Sequence, residues 1–455
     1  MNLMQENQKK FCSISSILEK GFEMKKAETL KEVYHIFKPE NTIKEETREF
    51  YVDIFKEDMQ RFVFDLENLD NPRQTYLIAG QTGNGKSSAL NMLSINYPKI
   101  NEIYDFKYIV GRKNFEYLDK IDVADILFNI AYAIIADDDK LFKKFTHSLE
   151  KMEKLFNKEL EEKIAKTTSE EGKAQLASQI GMGANILGIF KAKVDFKSSY
   201  SLSDQAVKSA TEFFKFKKQE LIKIINDIIF SYKKKYSKDL IIVVDDLEKR
   251  EDINHLFMNS EGHHAQLPIL NDLNIVKIIT MPIHITRSRY IKFGQLKEFG
   301  LKLKKNDGTP NEKDKNLLKE VILKRIKNKK LFSDEMIEKA IENSGANMNQ
   351  LIYLIHKGAM EAMLLEGTRI DKEEIKKASK GLQRELSPFV MNQREFLNRI
   401  ESSNVTIGND EDLNALEKAI SNNIVFAYFN GQTWFELNPI CLESLAFYNQ
   451  KSKIK

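Results

Sequence analysis

Residues Gly80 to Ser88 read Gly-Gln-Thr-Gly-Asn-Gly-Lys-Ser-Ser, and no other stretch restricts the fold of this chain so tightly. Gly80, Gly85, Lys86 and Ser87 satisfy G-x-x-x-x-G-K-[ST], a pattern that needs a strand before it and a helix after it. Both are legible. Thr75 to Ala79 is a short β-prone run after the Asn71-Pro72 break, and Ala89, Leu90 and Leu93 fall at helical spacing. Glycines let backbone N–H groups converge on an anion without Cβ obstruction, and the new helix points its positive dipole end at the same place. The spacing therefore predicts a triphosphate seat lined by Gly80, Gln81, Thr82, Gly83, Asn84, Gly85, Lys86, Ser87 and Ser88. Lys86 is expected to neutralise the β- and γ-phosphates and Ser87 to offer its hydroxyl to a metal, so the cofactors expected are ATP and Mg²⁺.

Such a loop needs a carboxylate from the end of a neighbouring buried strand. Leu240-Ile241-Ile242-Val243-Val244 is a continuous apolar run of the kind that both faces of a parallel sheet cover, and it ends in Asp245-Asp246-Leu247-Glu248. Asp245 is the candidate for the Mg²⁺ contact, Asp246 for the group that orients or deprotonates the attacking water, and Glu248 for a reserve base. A third run, Val276 to Thr280, ends at Met281-Pro282 and offers Thr280 as a polar tip between the two motifs. Arg287, Arg289, Arg250 and Arg325 compete as the arginine that reaches a neighbouring subunit's nucleotide, and the sequence does not choose among them.

With 455 residues the chain can bury an α/β core and further domains, while a formal net charge of +4 neither demands nor excludes nucleic acid. Cys12 and Cys441 stand far apart and His263-His264 have no cysteine nearby, so no disulfide framework or zinc site is indicated and a cytoplasmic setting is expected. The N-terminal residues lack the apolar core of a signal peptide and no run reaches transmembrane length, so no membrane partner is expected.

Four regions follow. Residues 1–70 read as helical, with Phe50, Ile54, Met59, Phe62 and Phe64 as their apolar positions. Residues 71–325 form the nucleotide core, and the long gap between its motifs places an insertion at about 136–236. Inside that insertion, Phe190, Ala192, Val194 and Phe196 alternate with Lys191, Lys193, Asp195 and Lys197 as a half-buried strand. A helix carrying Leu221, Ile224, Ile225, Ile228 and Tyr232 closes it at Lys233-Lys234-Lys235. Residues 326–384 read as a helical lid in which Ser333 caps one helix that stops near Gly345. In residues 385–455 a helix with Leu413, Leu416 and Ile420 precedes two β-prone runs around Asn430-Gly431, a hairpin signal that suggests a winged-helix-like end.

Taken in order, Gly-Gln-Thr-Gly-Asn-Gly-Lys-Ser, Ile-Ile-Val-Val-Asp-Asp-Leu-Glu, Val-Lys-Ile-Ile-Thr-Met-Pro and the lid from Phe332-Ser333-Asp334 resemble an AAA+ ATPase of the origin-recognition and STAND-like group. The tail Tyr428-Phe429-Asn430-Gly431-Gln432-Thr433-Trp434 with Asn438-Pro439 resembles bacterial P-loop ATPases of antiphage defence loci. The fold class implied is α/β: a parallel P-loop sheet with a helical lid and a C-terminal winged-helix-like domain. The resemblance also implies ATP binding, slow hydrolysis, a switch role, and assembly with itself or with a separate effector protein, with nucleic acid an open partner. One departure stands out: Ser344-Gly345-Ala346-Asn347-Met348-Asn349-Gln350 holds no cation where many relatives carry a lid arginine. A nucleotide-bound regulator or DNA-binding protein with negligible hydrolysis is the rival reading, and a small-molecule kinase is the third.

Overall fold

Both faces of one parallel sheet are covered, which is why its strands read as unbroken apolar runs. The computed structural model describes residues 25–115, 121–152, 204–249, 253–258, 265–287, 293–304, 308–402, 410–429 and 433–452. Strands β1 (Thr75–Ala79), β2 (Tyr104–Val110), β3 (Asp239–Asp245), β4 (Val276–Met281) and β5 (Gln295–Glu298) lie in the order β2-β3-β4-β1-β5. Every pairing is parallel. Successive side chains alternate faces, so Tyr76, Ile78, Ile241, Val243 and Ile278 enter one apolar cluster while Leu77, Ile242, Val244 and Ile279 enter the other.

On the first face lies α1 (Leu30–Ile36) with α2 (Lys56–Glu67), and after β1 the loop opens α3 (Lys86–Asn91). The opposite face is covered by α4 (Val123–Ile135) and the long α5 (Asp204–Tyr236), whose Leu221, Ile225, Ile228 and Tyr232 are buried, as their spacing predicts. The predicted strand over 190–197 lies outside the described residues. One point differs from the reading of residues 1–70. Phe64 is 65% exposed, because it falls on the outer side of α2 while Met59, Phe62 and Val63 turn inward. Helix α1 packs on the lid: Tyr34 stacks on His356 at 4.1 Å between ring centres and its carbonyl oxygen lies 2.7 Å from His356 Nδ1.

After α6 (Glu312–Lys324) come α7 (Asp334–Ser344) and α8 (Met348–Leu364). Ser333 caps α7 by accepting from Met336 N, and Gly345 ends it at φ +55°, as read from the sequence. Helix α9 (Lys372–Asn392) starts against the lid, where Ile375 joins the first apolar cluster, and ends among the elements of the C-terminal unit through Leu386 and Val390; these are α10 (Arg394–Glu401), α11 (Asp410–Ser421), the antiparallel hairpin β6 (Val425–Phe429) and β7 (Thr433–Leu437), and α12 (Leu442–Ser452). Helices followed by a two-stranded wing give this end its winged-helix-like character. No helix among the described residues is long and apolar enough to cross a membrane.

Candidate phosphate-binding site

Parallel strands deliver their carboxyl ends to one edge of the sheet, where ligands of such folds bind. Register aligns the pieces: Ile78 pairs with Thr280 and Val244 with Ile279, so Asp245 and Thr280 end adjacent strands at the level where β1 enters the glycine loop. The carbonyl of Ala79 accepts from Phe299 N at 2.8 Å, and a Cβ on Gly80 would run into the Phe299 carbonyl. Gly83 adopts φ +87°, and a Cβ there would come within 2.6 Å of Asn349 Cβ. Both positions require glycine for steric reasons.

Lys86 folds back along the loop. Its ammonium donates to the carbonyls of Gly80 at 2.8 Å and Gln81 at 3.2 Å, and pairs with Glu248 Oε1 at 3.1 Å. Thr280 Oγ1 donates to the other carboxylate oxygen, Glu248 Oε2, at 2.6 Å. Lys86, Glu248 and Thr280 therefore form one buried chain. Asp245 is 6% exposed and its Oδ1 has no partner. Burial raises its pKa above the usual aspartate value, and the neighbouring charges of Glu248 and Asp246 add to that rise.

Asp246 sits at φ +64°. One of its oxygens is paired with Lys249 Nζ and the other accepts from Arg112 Nε at 3.2 Å. Burial alone would raise its pKa, but those two cations outweigh it and leave the carboxyl below its ordinary value. Ser87 Oγ donates to Asp246 Oδ1 at 3.4 Å. Neither Arg112 nor Lys249 stood out in the sequence. The close packing of Gly111, where a Cβ would meet the Asp246 backbone at 3.0 Å, is what brings Arg112 to the acids.

The other sequence candidates divide. Ser88 Oγ accepts from Ile43 N at 3.3 Å and so turns toward the segment before α2. Asn84 is 4% exposed with an unpartnered Oδ1. Thr82 and Gly83 use their carbonyls on the lid, accepting from Asn347 Nδ2 at 2.8 Å and Asn349 N at 2.9 Å. Gln81 sends its side chain into the C-terminal unit. Arg325 is buried at the end of α6, donates to the Val321 carbonyl at 2.7 Å, and is pushed down to about 10 by burial. It serves the fold at that point. Arg250, Arg289 and the side chain of Arg287 lie outside the described residues.

The residues fit a metal-bound nucleotide. Carboxylate oxygens of Asp245, Asp246 and Glu248 lie within 4.8 Å of one another, one of them is a buried orphan, and the Ser87 hydroxyl is alongside. Oxygen-only donors of this kind suit a hard divalent cation such as Mg²⁺.

No family model matches the chain, and no curated protein matches it either. Among solved structures it is similar to Cdc6p from Pyrobaculum aerophilum, with 12% identity, TM-score 0.38, and coverage of 92% of this chain and 98% of that one. It is also similar to the ORC2 protein of Aeropyrum pernix in its ADPNP-ADP complexes, with 10% identity, TM-score 0.40, and coverage of 90% and 98%. A third is the RuvB Holliday junction branch migration motor of Thermotoga maritima, with 10% identity, TM-score 0.35, and coverage of 86% and 87%.

Proposed function

We propose that the chain is a P-loop ATPase of the AAA+ type, a molecular switch that binds ATP with Mg²⁺ and hydrolyses it slowly. The observation that carries this reading is the buried chain Lys86–Glu248–Thr280 beside the unpartnered Asp245 oxygen. In this reading Ser87 and Asp245 hold Mg²⁺, which when bound would offset charge on the phosphate oxygens. Lys86 and Glu248 neutralise each other at rest. A γ-phosphate competes for the Lys86 ammonium, and Glu248 Oε1, released from that ion pair, accepts a proton from the attacking water. Thr280 keeps Glu248 aimed through Oε2. Asp246, occupied by Lys249 and Arg112, supports the site, so Glu248 rather than Asp246 takes the role of base and reverses the order expected from sequence. Positioning and charge supply most of the rate in such chemistry.

The resemblance of the motifs and tail to defence-locus ATPases supports assembly with itself or with a separate effector protein, in a cytoplasmic antiphage role. The rival reading, a nucleotide-bound regulator with negligible turnover, is favoured by Asn347 and Asn349 standing at the lid's contact with the loop where a cation would sense phosphate. Following ATP binding by calorimetry and phosphate release in the same preparation tests both. Saturable binding with measurable release supports the ATPase, binding without release supports the regulator, and absence of binding overturns the proposal. Sizing the protein with and without ATP tests assembly, which predicts a larger species with nucleotide.

A further inference from the structure

The side chain at the second position of the glycine loop points away from the phosphate seat. Gln81 is 1% exposed, and both polar atoms of its side chain are used by the C-terminal unit. Its Nε2 donates to the Ile420 carbonyl and to Asn423 Oδ1, each at 3.3 Å, and its Oε1 accepts from Ala427 N at 3.3 Å. These partners are the end of α11, the turn after it and strand β6. The same unit is fixed beside the lid. Tyr428 Oη donates to the Gly345 carbonyl at 2.6 Å, and Gln350 and Asn438 exchange side-chain hydrogen bonds at 3.1 and 3.0 Å. Glu417 on α11 accepts from Asn254 at 2.8 Å and lies 3.7 Å from His284 just past β4.

We infer that Gln81 is a positioning residue that couples the phosphate loop to the docking of the C-terminal unit, so that occupancy of the loop and seating of that unit strengthen each other. This rests on the ATPase reading above. Three groups of the loop are held from outside: the Gln81 side chain by the C-terminal unit, the Thr82 and Gly83 carbonyls by the lid. Fixing those groups holds Gly83 and Gly85 in their left-handed conformations, φ +87° and +86°, and so keeps the inward N–H groups set for phosphate. Loosening the outer contacts spends phosphate affinity on re-ordering the loop. By linkage, phosphate binding then tightens the outer contacts by the same factor.

Two full-length variants break the contact from opposite sides. Gln81→Met keeps length and removes the hydrogen bonds. Asn423→Gly leaves the loop sequence untouched and suits the left-handed backbone at φ +55°. Without nucleotide, hydrogen exchange over residues 424–428 is expected to accelerate about fivefold to tenfold in Gln81→Met. With an ADP titration, each variant is expected to bind several-fold more weakly than wild type, and the double variant no more weakly than Gln81→Met. ADP is expected to slow exchange over residues 424–428 in wild type and not in either variant. Unchanged nucleotide-free exchange in Gln81→Met overturns the latch, whatever the ligand does. Wild-type ADP affinity in both variants, or additive losses in the double variant, overturns the coupling. A wild-type protein that binds no nucleotide overturns the ATPase reading and the coupling together, and the nucleotide-free exchange still decides the latch.

Discussion

Two buried lysines stand at opposite ends of the same sheet, and they are treated differently. Lys86 opens α3 beyond the carboxyl end of β1 and meets a carboxylate, Glu248, besides two carbonyls. Lys277 sits near the start of β4, fully buried, and donates only to the carbonyls of Arg73 at 2.7 Å and Leu273 at 3.4 Å. Burial, helped by the Arg73 charge, pushes Lys277 down to about 7. A cation with an ionic partner that another anion could replace is equipped for exchange, whereas a cation served by carbonyls alone braces the backbone around it. On the proposed reading, the difference separates a working end of the sheet from a structural one.

The largest expected effect comes from deleting the exchangeable cation. Lys86→Ala is expected to weaken ATP binding by at least about a hundredfold in calorimetry, since it removes the charge that faces the phosphates. It also leaves Glu248 buried without its partner and costs about 3 kcal/mol in denaturant unfolding. Next is Glu248→Gln, expected to slow steady-state phosphate release by about a hundredfold or more while ATP still binds. Asp246→Asn measured alongside is expected to lose less, and the opposite order would return the base to Asp246. Thr280→Val keeps the shape of the β4 tip but frees Glu248 to rotate, and a loss of about tenfold in turnover with little change in affinity is expected.

At the structural end the effect is smaller and of opposite sign. Because the folded pKa of Lys277 lies near 7 and the ordinary value is 10.5, the unfolded chain binds more protons between those values. Stability is therefore expected to rise as pH increases from about 7 toward 10.5, and the full penalty is present below that window. Lys277→Met is expected to flatten this dependence and to stabilise the protein near neutral pH by on the order of 1 kcal/mol, read from unfolding midpoints at several pH values. A variant as pH-dependent as wild type would erase the contrast between the two lysines.

How much of this was legible followed from sequence distance. Lys86, Ser87 and the acids after β3 were readable because loop and strand chemistry is local, and the strands themselves announced two-sided burial through runs such as Leu240 to Val244. Thr280 was readable as a strand tip, although its hydrogen bond to Glu248 depends on the order of strands. Gln81 is legible only as part of the loop that lines the phosphate seat; the destination of its side chain is not, because its partner Asn423 stands 342 residues away and nothing local marks that meeting. Arg112 follows β2, a strand whose alternation is irregular because it lies at the sheet edge with Tyr108 partly exposed. The placement of α1 on the lid likewise required the pairing of Tyr34 with His356, which periodicity cannot foresee. Ser333 and Gly345, in contrast, marked both ends of α7 by capping chemistry that acts within a few residues.

The central claim is that Lys86 exchanges Glu248 for a phosphate, and calorimetric titration of ATP into wild type and Glu248→Gln at equal Mg²⁺ tests it most directly. With the competing carboxylate neutralised, the variant is expected to bind ATP more tightly than wild type although it turns over far more slowly. Binding in Glu248→Gln that is weaker than wild type, or absent, would contradict the exchange.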